Sequence, residues 1–317
     1  MSGPSSYQIP DLPALFLPHF KLRTNTHCRA ATADALAWAA SAGFLSARER
    51  ERLPGLRLGL LAALCLPTAD HPQVVRAAQF LALLVHWWDR GVGEGSRKTW
   101  AGLWAQFCRT TSKAWQARFQ EHLAAFEAAN LDSGKSAETL MSVDAYMAWA
   151  RRSSGFAMGL ALVEYAEGLD LPEDVSAARP LAQLREVTVD LMIWIHEIAS
   201  YNTQQAADDP YNVVSVLSTE NGISLQAAMR RAGERVKELI AQFLVHEATL
   251  AQCSWGPYTD RDVRVYVVGL RDGAVGTAHW VYECERYFMG KGEDVKAFGW
   301  VFLLPKESDE DEEGGEA

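Results

Sequence analysis

The sequence has few cysteines, and none of them is placed as a metal or redox pair. Five cysteines are scattered over 317 residues, without the close spacing of zinc ligands or of a redox CxxC motif. We therefore expect reduced thiols in a cytoplasmic protein. Long apolar runs are also missing, since one of the longest covers only residues 58–66, which is too short to span a membrane. The N-terminal residues MSGPSSYQIPDLP lack the basic and then apolar pattern of a signal peptide.

The chain has fewer basic residues than acidic residues. The chain carries 30 lysines and arginines against 40 aspartates and glutamates, and it has no basic patch, so we expect no nucleic-acid partner. Much of the excess acid is local, because seven acidic residues lie in the last twelve positions, KESDEDEEGGEA. Without that segment, 33 acidic residues stand against 29 basic ones. We predict one folded domain over residues 1–305 and a disordered acidic tail over residues 306–317.

Strand-like alternation and linkers rich in Gly and Pro are almost absent. Instead, apolar residues recur at spacings of three and four along most of the chain, which is the pattern of helices with a buried face. This pattern predicts an all-α protein with about ten helices in one domain. The predicted helical stretches are residues 32–43, 55–66, 72–90, 98–129, 138–168, 178–205, 223–252 and 260–288.

Two predicted helical segments, residues 75–90 and 186–200, are apolar around most of their circumference, so we expect them in the middle of the assembly. The first ends at Asp89, and the second ends with His196 and Glu197. Because burying charge is costly, two such groups at the ends of central helices favour a functional site. The alternative is structural: an aspartate that caps a neighbouring helix and a histidine that is hydrogen-bonded in the core.

Several segments resemble a known family. They are the aspartate at the end of a central helix, RRSSG in the middle of the chain, IHEIASYNTQQAADDPYNVVSVL, and WVYECERYF near the C-terminus. They are similar to the fungal sesquiterpene synthases of the class I terpene cyclase family, and the similarity runs from YQIPDLPALF to WVFLLPK. The resemblance implies the class I terpenoid synthase fold, a single helical bundle that encloses an apolar cavity.

The resemblance also implies magnesium chemistry. In the family, an aspartate-rich motif on one helix and an Asn/Ser/Glu motif on the facing helix hold magnesium ions. With an arginine and a C-terminal Arg-Tyr pair, these ions bind the diphosphate of a prenyl substrate and stabilise it as a leaving group.

The aspartate-rich motif aligns with DRGVG, where most ligands are missing. Asp89 matches the leading aspartate, but Arg90 and Gly93 occupy the other positions. Glu94 would replace the lost acid only if the helix end bends by one residue. An arginine beside the remaining carboxylate would repel magnesium.

The Asn/Ser/Glu motif aligns with His196, Ser200 and Gln204, which stack on one face of a helix. Only the serine is kept. Neutral imidazole is a poor magnesium ligand but a good proton carrier. We predict that Ser200, Gln204 and the nearby Asn202 contact a substrate rather than a metal.

The residues that hold diphosphate in the family are better matched. Arg286 and Tyr287 in CERYF align with the Arg-Tyr pair, and Arg151 or Arg152 lies near the diphosphate-sensing arginine. Counting back from LVEY places the family's two arginines at Ala150 and Arg151, so it stays open whether either arginine here matches the sensor. We predict substrate binding by these residues, and the alternative is that the arginines are structural.

The chain is rich in tryptophan, with 11 in 317 residues. Members of the family hold their substrate in an apolar cavity lined by aromatic rings, because ring faces stabilise carbocations and water destroys them. The tryptophans predicted to bind the substrate are Trp88, Trp149, Trp194 and Trp280.

These replacements predict an atypical terpene cyclase-like enzyme, a lyase or isomerase of secondary metabolism that needs no cofactor. His86 and Asp89 share one helical face, and the family fold would bring Asp89 towards His196. We predict that these three residues are catalytic at the edge of an open apolar pocket. They would cyclise or rearrange a terpenoid, such as a sesquiterpenoid, by acid-base chemistry or templating. We expect a monomer or a homodimer.

Two alternatives stay open. The first is a magnesium-dependent sesquiterpene synthase that ionises farnesyl diphosphate, with a degenerate metal site that includes Asp89, Glu94 and Ser200. The second is a non-catalytic relative that binds a terpenoid or a partner protein, for which a filled or collapsed pocket is expected.

Overall fold

The computed structural model describes residues 5–131, 142–209 and 211–306, and most of the regular structure in these ranges is helical. The prediction of an all-α protein is confirmed. In chain order the α-helices are α1 (Leu12–Phe16), α2 (Cys28–Ser41), α3 (Ala47–Arg52), α4 (Leu58–Cys65), α5 (His71–Arg90), α6 (Glu94–Phe107), α7 (Lys113–Leu131), α8 (Val143–Ser153), α9 (Phe156–Glu167), α10 (Glu173–Ser176), α11 (Arg179–Ala206), α12 (Val213–Asn221), α13 (Leu225–Leu250), α14 (Pro257–Glu283), α15 (Glu285–Phe288) and α16 (Gly292–Phe298). A short 3₁₀ helix (Leu53–Leu56) lies between α3 and α4.

Three predicted helical stretches are interrupted, so the prediction of about ten helices was too low. Residues 108–112 separate α6 from α7, and Gly155 separates α8 from α9. Gly155 has a φ of 72°, a left-handed conformation that favours glycine. The extended backbone of Cys284 separates α14 from α15. Apolar spacing continues across each break because both flanking helices bury a face in the same core, and periodicity alone therefore missed the breaks.

Two short strands, β1 (Ser6–Gln8) and β2 (Trp300–Phe302), pair in antiparallel orientation, with Tyr7 opposite Val301. Both of these central residues are buried. Strands of three residues are too short to produce a recognisable alternation, and the sequence did not predict them. Their pairing brings the N-terminal and C-terminal segments of the described chain together.

The two helices that were predicted to be central occupy that position. α11 has 28 residues and packs against α8, α9, α12, α13, α14 and α15. α5 has 20 residues and packs against α2, α4, α6 and α9. α5 stops at Gly91, whose φ of 74° is unfavourable for other residues. Asp89 therefore lies in the last turn of α5, and His196 lies in the C-terminal half of α11.

Close packing of α14 on α4 depends on a glycine. A Cβ atom at Gly276 would lie 3.0 Å from the carbonyl carbon of Leu64, so a larger residue would push the two helices apart. Together with α5, α9 and α11, these helices surround the interior space in which the candidate site lies.

The chain is described as far as Lys306, which forms an ion pair with Asp208 after the end of α11. The rest of the predicted acidic tail, residues 307–317, lies outside the described residues. None of the helices in the described ranges combines the length and the apolar character that crossing a bilayer requires.

Candidate active site

An apolar cavity lies between α4, α5, α9, α11 and α14. Its wall consists almost entirely of aliphatic and aromatic side chains, which include Trp88, Phe156, Met192 and Trp280. Its water-accessible volume is about 50 Å³, which is room for a few water molecules rather than for a terpenoid chain. The bundle therefore encloses an apolar cavity, but packed side chains make it much narrower than the open pocket expected from the sequence.

A wide polar cleft adjoins the cavity. The cleft has a volume of about 1110 Å³ and is lined by α3, the 3₁₀ helix, the C-terminal halves of α5 and α11, and α15. Val85, His196 and Tyr287 belong to the walls of both spaces, and we call these three residues the threshold. The charged residues of the cleft are Arg48, Glu49, Arg52, Asp89, Arg90, Glu285 and Arg286.

His196 is packed among aromatic rings at the threshold. Its ring centroid lies 5.6 Å from that of Trp88, 6.0 Å from Phe156 and 5.7 Å from Tyr287. Its Nδ1 atom is 3.5 Å from a carboxylate oxygen of Glu197, and 19% of its side chain is exposed. This imidazole therefore contacts the apolar cavity and the polar cleft at once.

The hydroxyl of Tyr287 is buried at the threshold and has no hydrogen-bond partner within the described ranges. Burial raises the pKa of this phenol well above its ordinary value, so Tyr287 is a neutral donor. Its ring makes an edge contact with Trp280, with centroids 5.6 Å apart. A buried donor without a partner is costly, and a bound water or ion or a catalytic role would explain it.

The carboxylate of Asp89 is bound by an arginine. Arg286 donates from Nη1 and Nη2 to the two carboxylate oxygens at 3.1 and 2.7 Å. The guanidinium also lies over the ring of Trp88, 5.8 Å from its centroid. Trp88 donates its indole N–H to the carbonyl of Ser154 at 2.9 Å, so the RRSSG segment fixes this ring. The predicted pairing of Asp89 with His196 is therefore replaced by a pairing of Asp89 with Arg286.

Ser200 and Gln204 line the cleft, but their polar atoms are bonded within the protein. The Ser200 hydroxyl donates to Gln204 Oε1 at 2.8 Å, and Asn212 Nδ2 donates to the same oxygen at 2.7 Å. Gln204 Nε2 in turn donates to the carbonyl of Tyr211 at 3.2 Å. These contacts form a hydrogen-bonded chain that joins α11 to the start of α12.

His86 is paired with a carboxylate that the sequence did not single out. Its Nδ1 atom lies 2.7 Å from Oε1 of Glu49 on α3, and the ring lines the cleft rather than the cavity. Glu49 also accepts a hydrogen bond from the backbone N–H of Ser46 in a capping box. The capping box is visible in the sequence as S-x-x-E, but the contact with α5 is not.

Comparison with known proteins identifies the family of this chain. A family model described as terpene synthase family 2, C-terminal metal binding, matches residues 93–242. Sesquiterpene synthase 1 of Postia placenta is 32% identical, with 96% of this chain and 97% of that protein covered. Sesquiterpene synthase Agr1 of Cyclocybe aegerita is 31% identical, with 91% of each chain covered. The chain belongs to the terpene synthase family.

Solved structures of terpene synthases have the same fold. The structure of α-eudesmol synthase has a TM-score of 0.74 at 19% identity, with 83% of this chain and 97% of that chain covered. Hedycaryol synthase in complex with nerolidol has a TM-score of 0.71 at 19% identity, with 88% of this chain and all of that chain covered. The fold prediction is confirmed by these similarities.

The residues at the two metal positions of the terpene synthase family do not fit magnesium in this chain. Magnesium requires several hard oxygen ligands in octahedral geometry. Both oxygens of Asp89 are bound to Arg286, and Glu94 begins α6 at an exposed position. Ser200 and Gln204 are bonded to each other. Among the described residues, no group of three or more His, Cys, Asp or Glu side chains is arranged to hold a metal ion.

Besides Asn202, four residues that were predicted to bind substrate lie outside both spaces of this terpene synthase relative. Arg151 forms two hydrogen bonds with Asp190, at 2.7 and 2.8 Å, and joins α8 to α11. Arg152 is exposed, Trp194 is buried in α11, and Trp149 is partly buried. None of the four lines the cavity or the cleft. An alignment of motifs gives their order along the chain but not the direction of each side chain.

Asn202, which was predicted to bind substrate, lines neither the cavity nor the cleft and makes hydrogen bonds within the protein. Its Nδ2 atom donates to the carbonyl of Phe302 at 2.8 Å, and its Oδ1 atom accepts from the backbone N–H of Leu304 at 3.0 Å. It lies on a different face of α11 from His196. Asn202 therefore fastens the segment after β2 to the central helix.

Proposed function

We propose that this terpene synthase relative binds a terpenoid of sesquiterpenoid size and promotes its cyclisation or rearrangement by proton transfer, without magnesium-dependent loss of diphosphate. The relatives named above are sesquiterpene synthases, which supports a terpenoid substrate. The observation that carries the rest is the use of both metal positions for protein contacts: Asp89 binds Arg286, and Ser200 binds Gln204.

His196 is the best placed proton carrier for such a reaction. It lies where an oxygen atom in the cleft and a hydrocarbon in the cavity would meet, once the side chains of the cavity wall move apart to admit the hydrocarbon. Imidazole can give or take a proton near neutral pH. The neutral hydroxyl of Tyr287 would donate a hydrogen bond to the ligand oxygen, and the rings of Trp88 and Trp280 would stabilise positive charge on carbon.

A terpenoid epoxide illustrates a balanced reaction. The protonated imidazole gives its proton to the epoxide oxygen as a C–O bond breaks, and a double bond of the same molecule attacks the cationic carbon and closes a ring. A proton on carbon beside the new cation then returns to the imidazole, and its bonding pair becomes a double bond. Substrate and product are isomers, and no cofactor is consumed.

A second candidate function is magnesium-dependent ionisation of farnesyl diphosphate. Three observations favour it: the family model is described as metal binding, Arg286 and Tyr287 line the cleft, and the Asp89 side chain is 43% exposed. A partly exposed ion pair can exchange partners at low cost. In that case magnesium would have to displace Arg286 from the carboxylate.

Incubation with two substrates separates these functions. The purified protein is given farnesyl diphosphate or an epoxide of farnesol, each with magnesium or with EDTA, and the products are analysed by gas chromatography and mass spectrometry. We expect an isomer of the epoxide in both conditions and no product from the diphosphate. His196→Gln should abolish the isomer, while His19→Gln, which changes an exposed histidine, should not.

Other outcomes decide against the proposal. A product from farnesyl diphosphate that forms only with magnesium would establish the second function. If neither substrate reacts, nerolidol is added in a thermal-shift assay, because a hedycaryol synthase has been solved in complex with it. Stabilisation by nerolidol without turnover would identify a non-catalytic terpenoid-binding relative, for which the narrow cavity already argues.

A further inference from the structure

Glu49 and His86 form a second carboxylate and imidazole contact, away from the threshold residues. The Oε1 and Nδ1 atoms are 2.7 Å apart, and the two side chains are only 18% and 11% exposed. The ring of Phe44 makes an edge contact with the imidazole, with centroids 5.2 Å apart. The pair is therefore held by two helices, α3 and α5, and by an aromatic neighbour.

The contacts of Glu49 determine which imidazole nitrogen carries the proton. Burial raises the pKa of Glu49, but hydrogen bonds from Ser46 and from His86 outweigh this effect and lower the pKa to about 2. The side chain is thus an ionised carboxylate, which can only accept hydrogen bonds. In the neutral imidazole, Nδ1 must carry the proton, and Nε2 is then the free acceptor.

The Nε2 atom of His86 has no protein partner in the described ranges, and the ring lines the cleft. We propose that Glu49 is a positioning residue that holds His86 in the Nδ1–H form, so that His86 Nε2 exchanges a proton with a ligand in the cleft. The proton-transfer role deepens the proposed function and rests on it. The Nδ1–H form of His86 does not depend on the proposed function, because it follows from the contacts of Glu49 with His86 and Ser46.

A second base complements His196 in the proposed isomerisation. The reaction adds a proton at one atom of the substrate and removes a proton from another, and the two atoms need not be near each other. A base in the cleft would take a proton from carbon as the C–H bonding pair forms a double bond and an N–H bond forms at Nε2. With His86 in this role, His196 would act only as the acid, and the proton would return from His86 to His196 through solvent in the cleft, which both residues line.

The chain offers a matched control on its surface. His71 Nε2 lies 3.2 Å from Asp34 Oδ2, with side chains 34% and 58% exposed. This is another contact between an imidazole and a carboxylate, although without hydrogen-bond geometry, and neither residue lines the cavity or the cleft. A substitution of Asp34 therefore changes a histidine partner without changing the candidate site.

The decisive variant is Glu49→Gln. Glutamine also serves in a capping box, so its carbonyl oxygen can still accept from the backbone N–H of Ser46. Its amide would donate to Nδ1 of His86, which forces the proton onto Nε2. In protein labelled with nitrogen-15 at histidine, NMR above neutral pH should find the proton on Nδ1 in the wild type and on Nε2 in the variant. Isomerisation should fall about tenfold or more.

Controls and ligand titration complete the test. Asp34→Asn should leave turnover unchanged, and Ser46→Ala, which removes one half of the capping box, should leave the proton of His86 on Nδ1. An Nε2–H form in the wild type would overturn the positioning role. A changed tautomer with unchanged turnover would overturn proton transfer at His86.

If no substrate turns over, farnesol epoxide is titrated into the labelled protein instead. A change in the NMR signal of His86 Nε2 without a change in the signals of His71 supports a ligand contact, and an unchanged His86 signal overturns that contact.

Discussion

The two helices that carry the metal-motif positions of terpene synthases hold the side chains at those positions in different kinds of protein contact in this chain. At the end of α5, Asp89 remains but is bound by Arg286 in a pair whose carboxylate is 43% exposed. On α11, Ser200 and Gln204 take part in a hydrogen-bonded chain with Asn212, which is 1% exposed. One change is an ion pair at the cleft surface, and the other is part of the core.

This difference indicates which change could be reversed by a ligand. A partly exposed ion pair contributes about 0–1 kcal/mol. A cation could therefore compete for Asp89, and an anion could compete for Arg286. Removing one member of a buried hydrogen-bonded set leaves unsatisfied groups, at about 1–3 kcal/mol each. Under the proposed function without magnesium, the α11 side rather than the α5 side is therefore the stronger barrier to a metal ion.

The largest effect is expected for Asn212→Ala. Asn212 donates to the carbonyl of Glu197 at 2.8 Å and to Gln204 at 2.7 Å, and its Oδ1 atom caps α12 by accepting from Val214 N–H at 2.8 Å. Loss of a cap and of two buried bonds should lower the free energy of unfolding by about 3 kcal/mol. Urea denaturation followed by circular dichroism measures this change.

The matched control is Asn221→Ala, since Asn221 is exposed and bonds only to the carbonyl of Leu217. Its cost should stay below about 0.5 kcal/mol. Equal losses in the two variants would contradict the view that the α11 position is fixed by the core.

An intermediate effect is expected for Gln204→Glu, which restores the carboxylate of the family motif. The new side chain can still accept from Ser200 and Asn212, but it cannot donate to the carbonyl of Tyr211 and places a negative charge beside it. We expect a loss of about 1–2 kcal/mol in unfolding free energy and no recovery on addition of magnesium. Gln242→Glu adds the same charge at an exposed position of α13 and should change little. Recovery of stability with magnesium would instead mean that α11 still forms a metal site.

A smaller effect is expected for Arg286→Gln at the α5 side. The variant removes the pair with Asp89, and the unfolding free energy should fall by less than about 1 kcal/mol. Salt screens charges near the surface, so the difference from wild type should shrink in molar sodium chloride. The loss in Asn212→Ala should persist in the same salt. A large loss of unfolding free energy in Arg286→Gln that salt does not reduce would contradict this view. The α5 contact would then be as firmly built into the fold as the α11 contact.

The fold was predictable because α5 and α11 are apolar around most of their surface and because the similarity to the family covers nearly the whole chain. The breaks at residues 108–112 and at Gly155 were not predictable from periodicity, since the apolar pattern continues through them. The two strands of three residues form only because the chain ends meet, and that contact depends on the complete fold.

The position of the candidate site was predictable, but its pairings were not. Asp89 and His196 lie at the cleft because each ends the apolar part of a central helix. Their partners are remote in sequence: Asp89 meets Arg286 across 197 positions, and His86 meets Glu49 across 37. Spacing along a helix identifies residues that share a face, but it says nothing about what the opposite helix presents.

The effect expected for Glu49→Gln, at the other ion pair of α5, depends on pH and is smallest in acid. The pKa of Glu49 is lowered to about 2 from 4.5, so its ionised form stabilises the fold above pH 4.5, and this contribution is lost as the pH falls through 2. The stability difference between wild type and variant should be greatest near neutral pH and should shrink as the pH falls from 4.5 through 2, as measured by urea midpoints at several pH values. Glu51→Gln, at an exposed position of α3, should change this pH dependence less. If the variant is still folded at neutral pH while turnover falls about tenfold, the loss of activity reflects the orientation of His86 rather than unfolding. The contacts on the α5 side of the cleft would then serve the reaction, and those on the α11 side would serve the stability of the fold.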